Sequence, residues 1–302
     1  MWLPRFVCPH CFAFADEGAF EAIVCRDCHR RFERRNGSYC FLTPARVEAA
    51  MAFVRQYLAV RQQDGYRQSS ARYFQMLPYV PPGDPHAGEW RVRRESYQHL
   101  LRRVLPAYER ATTIRVLDLG SGNGWLSHRL ASFGHRAVAV DWLDDEADGL
   151  GACRHYEVPF PTVQADFDAL PLRPFQFELV VFNASLHYSS NILATLAHAR
   201  RMLAPGGSLV VMDSPMFLNA EDGEGMIGDA VRRFRTRYGL PDAERTNVGY
   251  LTFATMSQAA VSLGLRAQFF PSGGSLGWRV RRNISRLRLG RAPAAFGAWV
   301  AQ

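Results

Sequence analysis

The chain contains no lysine: all 36 of its basic residues are arginine, set against 28 acidic residues for a formal net charge of +8. A basic balance of that size invites a nucleic-acid partner, because clustered cations release phosphate counterions on binding. The complete lack of lysine blunts the invitation, since a genomic bias toward arginine produces the same excess without phosphate recognition. Long apolar runs are missing too. No stretch approaches the roughly 18 to 20 apolar residues of a bilayer span, and the N-terminus has no apolar signal-peptide core, so the expected location is the cytoplasm. Internal repeats and low-complexity tracts are absent, and 48% hydrophobic with 21% charged residues indicates a globular fold. At 302 residues the chain exceeds one typical domain.

Cysteine is scarce, yet four of the six cysteines fall in two pairs, Cys8-Pro-His-Cys11 and Cys25-Arg-Asp-Cys28. Each Cys-x-x-Cys turn can offer two thiolates, and four thiolates complete the tetrahedron of a structural zinc site. We read residues 1–44 as a zinc ribbon with a short hairpin between Phe12 and Val24. Disulfides are the competing account, set aside because cytosolic thiols stay reduced. His10 and His29 stand beside ligands as possible substitutes, and Cys40 and Cys153 read as buried thiols. So small a ribbon has little core, and zinc is expected to supply most of its folding free energy. Arg26, Arg30, Arg31, Arg34 and Arg35 give it a basic edge, readable as a solvated face or as an RNA rest.

The rest of the chain is organised around Ile114-Arg-Val-Leu-Asp-Leu-Gly-Ser-Gly-Asn-Gly124. Ile114, Val116, Leu117 and Leu119 suit a buried parallel strand. Gly120, Gly122 and Gly124 allow a tight turn with backbone bare enough for a ligand to approach, and a helix is expected from Trp125 to Phe133. The dinucleotide pattern Gly-x-Gly-x-x-Gly would need glycine where Trp125 stands, so that reading fails. What is present is Asp-x-Gly-x-Gly-x-Gly.

That stretch resembles the first motif of the class I S-adenosylmethionine (SAM) dependent methyltransferases, and further pieces follow in the family's order. Ala137-Val-Ala-Val140 ends at Asp141, at about the distance where Rossmann-like folds place a ribose-binding acid. Gln164 to Pro171 is similar to the adenine-holding segment, with Asp166 and Phe167 at the matching positions. Phe175 to Asn183 looks like the fourth strand, and Ala199 to Asp213 like the helix, turn and fifth strand. The resemblance implies an α/β fold, a Rossmann-like seven-stranded sheet flanked by helices over 111–302. It also implies SAM contacts from Asp118, Gly120, Ser121, Gly122, Asn123, Gly124, Asp141, Trp142, Asp166, Phe167 and Asn183. Arg266 to Phe270 and Ala294 to Ala301 are expected to form the last, antiparallel hairpin.

Residues 45–110 read as a helical connecting segment, with Val47 to Arg61 and Leu100 to Leu105 at helical spacing around the irregular loop Leu77 to Pro85. Tyr66, Tyr73, Tyr79 and Trp90 are candidates to line a substrate site, packing on the sheet being the plainer account. After Asn183 comes Ala-Ser-Leu-His-Tyr188, which should face the transferring methyl. Ala184 and Ser185 stand where enzymes acting on exocyclic amino groups of bases carry two prolines, which disfavours that chemistry. His187 is the nearby side chain with a pKa suited to a general base, a pocket-shaping or hydrogen-bonding role being the plainer account. Ser214 to Tyr250 reads as an insertion whose acidic part, Glu221 to Gly225, is expected to be a flexible lid or surface loop. Between the last strands, Trp278 to Arg291 carries Val280, Ile284 and Leu287 on one stripe with arginines around it, expected to pack on the sheet, contact with an anionic membrane surface or a phosphate backbone being the alternative.

Two acceptor classes stand: a small or carrier-bound metabolite, which is favoured, and RNA. The second rests on architecture similar to that of bacterial rRNA guanine-N1 methyltransferases, where a ribbon precedes a class I domain. A SAM-binding scaffold without catalysis is a third reading, opposed by the intact Gly120 to Gly124 loop with Asp141 and Asp166. Nothing in the sequence speaks to oligomeric state.

Overall fold

The structure, a computed structural model, describes residues 2–18, 21–109, 111–239, 247–274, 277, 280, 284, 286 and 290–302. Its first five strands are β1 (Phe6–Val7), β2 (Phe14–Gly18), β3 (Ala22–Cys25), β4 (Arg31–Arg35) and β5 (Ser38–Cys40). Three helices follow, α1 (Pro44–Gln63), α2 (Ala71–Met76) and α3 (Ala87–His99), the last running on as a π-helical turn through Val104. Then come β6 (Arg115–Leu119), α4 (Trp125–Ser132), β7 (Arg136–Asp141), β8 (Thr162–Gln164), β9 (Phe177–Asn183), α5 (Ile192–Met202) and β10 (Leu203–Met212). The chain continues through β11 (Met216–Phe217), α6 (Ala220–Arg233), β12 (Leu251–Thr252), α7 (Phe253–Ser262), β13 (Ala267–Pro271) and β14 (Gly297–Ala301).

Among the described residues, twelve strands form one sheet in the order β1-β2-β3-β4-β5-β8-β7-β6-β9-β10-β14-β13. From β8 through β10 neighbours run parallel, and β14 inserts antiparallel between β10 and β13. Side chains on the central strands alternate between two cores, as a pleat buried on both faces requires. Leu117, Leu119, Val180, Phe182, Leu209 and Val211 face one side with Leu196, Ala199 and Met256 of α5 and α7. Val116, Leu179, Val181, Val210 and Met212 face the other with Trp90, Tyr97, Leu126 and Leu130 of α3 and α4.

The ribbon is an extension of this sheet. Tyr39 and Cys40 of β5 pair in parallel with Val163 and Gln164 of β8, and Phe6 bridges Leu172. Phe6, Ala15, Ile23, Tyr39 and Phe41 join the first core directly. The ribbon therefore shares apolar burial with the larger sheet, and its core is not confined to its own residues.

Three expectations need correction. Glu221 to Gly225 is not a loop: it opens α6, where Glu221 and Asp222 sit in the first turn and complement the helix dipole. Gly223 is there because a Cβ would stand 2.3 Å from the Tyr250 ring, a packing reason that resembles a flexibility signal in sequence. Asp222 also accepts the Ala292 N–H at 2.7 Å, and Asp229 pairs with Arg291 at 2.7 Å, which holds α6 against the segment before β14. The final strand begins at Gly297, later than Ala294. In the arginine-rich stretch, Val280 and Ile284 are exposed instead of packed on the sheet, while Trp278 and Leu287 lie outside the described residues.

Candidate functional site

The four paired cysteines converge. Their sulfur atoms all lie within 4.8 Å of one another, with Cys8 to Cys28 at 3.7 Å and Cys11 to Cys25 at 3.4 Å. A regular tetrahedron with Zn–S bonds of about 2.3 Å has sulfur–sulfur edges of about 3.8 Å, so the donor set fits zinc in number, chemistry and spacing. The residue after each second cysteine, Phe12 and His29, turns with a positive φ of 61° and 55°. His29 is thus a turn residue, and neither it nor His10 belongs to the sulfur cluster among the described residues. Burial opposes ionisation of Cys25, but the N–H groups of Cys28 and Asp27 outweigh it and bring the thiol down to about 6. Such a thiolate is ready to bind metal.

The second site lies along the carboxyl ends of the parallel strands, where open α/β sheets bind ligands. Sheet order sets the sequence of groups along this edge. Asp166 follows β8, Asp141 ends β7, the glycine loop follows β6, Asn183 ends β9 and Asp213 follows β10. Gly120, Gly122 and Gly124 all have left-handed φ, at 67°, 55° and 73°. Their reasons differ. A Cβ on Gly120 would strike Ser185, and one on Gly124 would strike the Cys153 sulfur at 2.5 Å. At Gly122 a Cβ would meet only an ordinary contact, the Asp148 carbonyl at 3.5 Å, so of the three it is the one not closed off by a neighbouring side chain.

Asp141 accepts the N–H of Gly122 at 2.7 Å and of Leu143 at 2.8 Å. Burial raises its pKa to about 6 against the pull of those bonds. Asp118 is fully buried, takes the Ser127 hydroxyl at 2.9 Å on one oxygen and is pushed by burial up to about 7. Its Oδ1, the Ser121 hydroxyl and the Asn183 Oδ1 are buried without partners. Unmatched polar atoms cost free energy unless something binds them. Asn123 caps Trp125 N at 3.3 Å and gives its carbonyl to Tyr156. Trp142 is half-buried, its carbonyl taken by Gln164 at 3.0 Å. Phe167 packs edge-on against Phe182 beside this edge.

Helix α1 lies across the same edge. Arg46 near its start pairs with Asp166, Phe53 and Tyr57 meet Tyr188, and Arg61 near its end binds the buried Asp148 at 2.5 Å. None of its described residues is fully buried. The sequence candidates Tyr66, Tyr73 and Trp90 have protein partners instead: Tyr66 with Glu89, and Tyr73 accepting the Trp90 indole N–H. Tyr79 is flanked by Arg94 and Arg129.

At the far end, His187 Nδ1 lies 3.2 Å from the Ser214 hydroxyl. Burial, with help from Arg93, lowers its pKa to about 4, so it is neutral near pH 7 and a weak base. Asp213 was not legible as a site residue. Its Oδ1 takes the Ser96 hydroxyl at 2.5 Å, Ser96 also meets Ser272 at 2.8 Å, and Oδ2 is buried without a partner. Burial raises Asp213 to about 6, opposed by Ser96 and Arg93, and its backbone holds a φ of 54°. The available signal was positional, a polar residue just past a strand at the carboxyl edge, as with Asp141 and Asn183.

Strand order, glycine loop and acid-lined edge together define a class I methyltransferase fold. Residues 117–211 match the family described as Methyltransferase domain. The malonyl-(acyl-carrier protein) O-methyltransferase of Chlorobium luteolum is 33% identical over 153 residues, covering 48% of this chain and 57% of that protein. The enzyme of the same name from Enterobacter lignolyticus is 36% identical over 118 residues, covering 39% and 44%. The chain thus spans about half the length of these curated relatives. The SAM complex of phosphoethanolamine N-methyltransferase 2 from Haemonchus contortus superposes with a TM-score of 0.48 at 14% identity, over 77% of this chain and 59% of that one. Among the described residues no helix is long and apolar enough to cross a membrane.

Proposed function

We propose that this protein transfers a methyl group from SAM to a small molecule or carrier-bound metabolite. The observation that carries the reading is the convergence of the left-handed glycine turn at Gly122 with Asp141 and a row of unpartnered buried acceptors, Asp118, Asn183 and Asp213, on one sheet edge. Asp141 would hold the ribose hydroxyls, with Asp166, Phe167 and Trp142 around the base. Asp118, Ser121 and Asn183 would meet the amino-acid end. SAM would supply a methyl group on a cationic sulfur, so the protein's own task is to align the acceptor and take up a proton where one is released. His187, neutral near pH 7, suits hydrogen bonding and pocket shape better than strong base catalysis, and Asp213, with one oxygen unpartnered, is the more basic of the two. The names of the two relatives, both enzymes acting on a carrier-bound malonyl group, favour a metabolite over RNA.

We assign the cysteine cluster to structural zinc and the ribbon, residues 1–44, to bracing the β8 edge. The helical segment 45–110 covers the catalytic domain 111–302, and the cytoplasm is the compartment in which the four thiols would stay reduced. The test is transfer of labelled methyl from SAM by the purified protein into total RNA and, separately, into a metabolite and carrier-protein extract, both from a strain lacking the gene. Label in the extract is expected; label confined to RNA would replace this reading with the RNA one.

A further inference from the structure

On α3 the residues Trp90, Ser96, Tyr97 and Leu100 are buried, at 6%, 0%, 1% and 0% exposure, and mark the face turned to the core. Arg93 stands on that stripe, three residues from both Trp90 and Ser96, and is half-buried. Its guanidinium lies over the Trp90 ring at 4.9 Å, and Trp90 in turn packs edge-on against Trp125, the first residue after the glycine loop. Ser96, one turn further along, holds Asp213. Arg93 is therefore placed between the cofactor loop and the end of β10, within electrostatic reach of both His187 and Asp213.

Arg93 makes no hydrogen bond or ion pair to any described residue. Arg61, Arg67 and Arg129 do: Arg61 and Arg67 bind Asp148 and Asp145, and Arg129 donates to the carbonyls of Gln75, Met76 and Leu77, whereas Arg94, next along α3, stacks on Tyr79 away from this stripe. The nearby acids are otherwise engaged. Glu89 accepts from Tyr66, Glu95 accepts the N–H groups of Gly273 and Gly274, and Asp213 is held through Ser96. A guanidinium drawn part-way out of water with an aromatic face but no anion is incompletely matched, and its planar fork fits a carboxylate.

We propose that Arg93 anchors a carboxylate of the methyl acceptor, so that the substrate class is an organic acid, free or carried as a thioester that keeps one free carboxyl group. The inference rests on the small-acceptor reading above and deepens it. Arg93 holds the acid group while the unpartnered oxygen of Asp213 faces the remainder of the acceptor. Arg93 is a positioning residue whether the methyl is received by that carboxylate or by a neighbouring hydroxyl.

The test uses the purified full chain with labelled SAM and the metabolite and carrier-protein extract, mock-treated or with carboxyl groups amidated by a carbodiimide and ethanolamine. Amidation is expected to abolish labelling. With the acceptor purified from the mock-treated extract, Arg93→Gln is expected to raise KM at least tenfold with a smaller change in kcat. Arg93→Lys should recover part of the loss, and affinity for S-adenosylhomocysteine by calorimetry should match wild type in both variants. Labelling that survives amidation, or an unchanged KM in Arg93→Gln, overturns the carboxylate anchor and leaves the methyltransferase reading intact. No labelling of the mock-treated extract, with S-adenosylhomocysteine still bound, overturns the small-acceptor reading and the anchor with it. Should Arg93→Gln fail to fold, the KM of Arg93→Lys decides: a value equal to wild type counts against the geometric match, since an ammonium cannot reproduce a bidentate fork.

Discussion

A Cβ built on Gly120 would stand 2.3 Å from the Cβ of Ser185, whose hydroxyl donates to the carbonyl of Leu119 at 2.5 Å. The loop after β9 is thereby locked down on the loop after β6, which fixes the two halves of the cofactor edge against each other. Because Gly120 also has a φ of 67°, Gly120→Ala should destabilise the protein by about 2–4 kcal/mol in urea unfolding. Adding Ser185→Gly should return part of that loss. Strict additivity in the double-mutant cycle would show that the contact is not the cause.

Asp141→Ala should weaken SAM binding by roughly 100-fold, the loss of about 3 kcal/mol expected for two hydrogen bonds to a charged group. The fold should survive, because the strand beneath is held by its neighbours on both sides. Titration calorimetry showing wild-type affinity would remove Asp141 from the ribose site.

Acid–base linkage singles out Asp118, raised by burial to about 7. In the unfolded chain a free aspartate titrates near about 3.9. Between those values the folded state keeps a proton the unfolded state has released, so this group's stability is complete below about pH 4 and is lost as pH rises through about 7. Asp141 and Asp213, each raised to about 6, act in the same direction. In the absence of SAM, Asp118→Asn should gain on wild type as pH climbs, from little difference at about pH 4 to as much as about 4 kcal/mol at about pH 8. Thermal melts at a series of pH values measure this; a constant offset would mean that Asp118 does not titrate in this window.

Protein purified without chelator should carry one zinc per chain, and Cys8→Ser should lose it. Since β5 is hydrogen-bonded to β8 beside the Asp166 segment, zinc loss should also lower the melting temperature of the whole chain and weaken SAM binding several-fold. Metal analysis finding no zinc would contradict the donor set. A Cys8→Ser variant with full SAM affinity would detach the ribbon from the cofactor edge.

The features legible in the sequence share a local cause. The apolar run into Gly120 to Gly124, the strand ending at Asp141 and the paired cysteines all depend on short-range geometry, namely a pleat, a left-handed turn or a two-thiolate knuckle. Such geometry is written into neighbouring residues, and the structure returned each of these elements within a residue or two. Glu221 to Gly225 marks the limit. Its glycines and acids suit a loop by composition, and only the Tyr250 ring over Gly223 explains a helix there.

What tertiary structure alone decided concerns pairs far apart in the chain. Tyr39 beside Val163 makes the ribbon part of the main sheet, and Ser96 beside Asp213 engages one oxygen of a buried aspartate while the other is left without a partner. Arg93 shows why this could not be read beforehand. In a chain whose every cation is arginine, composition gives no means of picking out one guanidinium. Its meaning comes from the folded protein, which places it on a buried helix face beside His187 and Asp213 and leaves it without a carboxylate of its own, a condition set by burial and by the positions of distant acids.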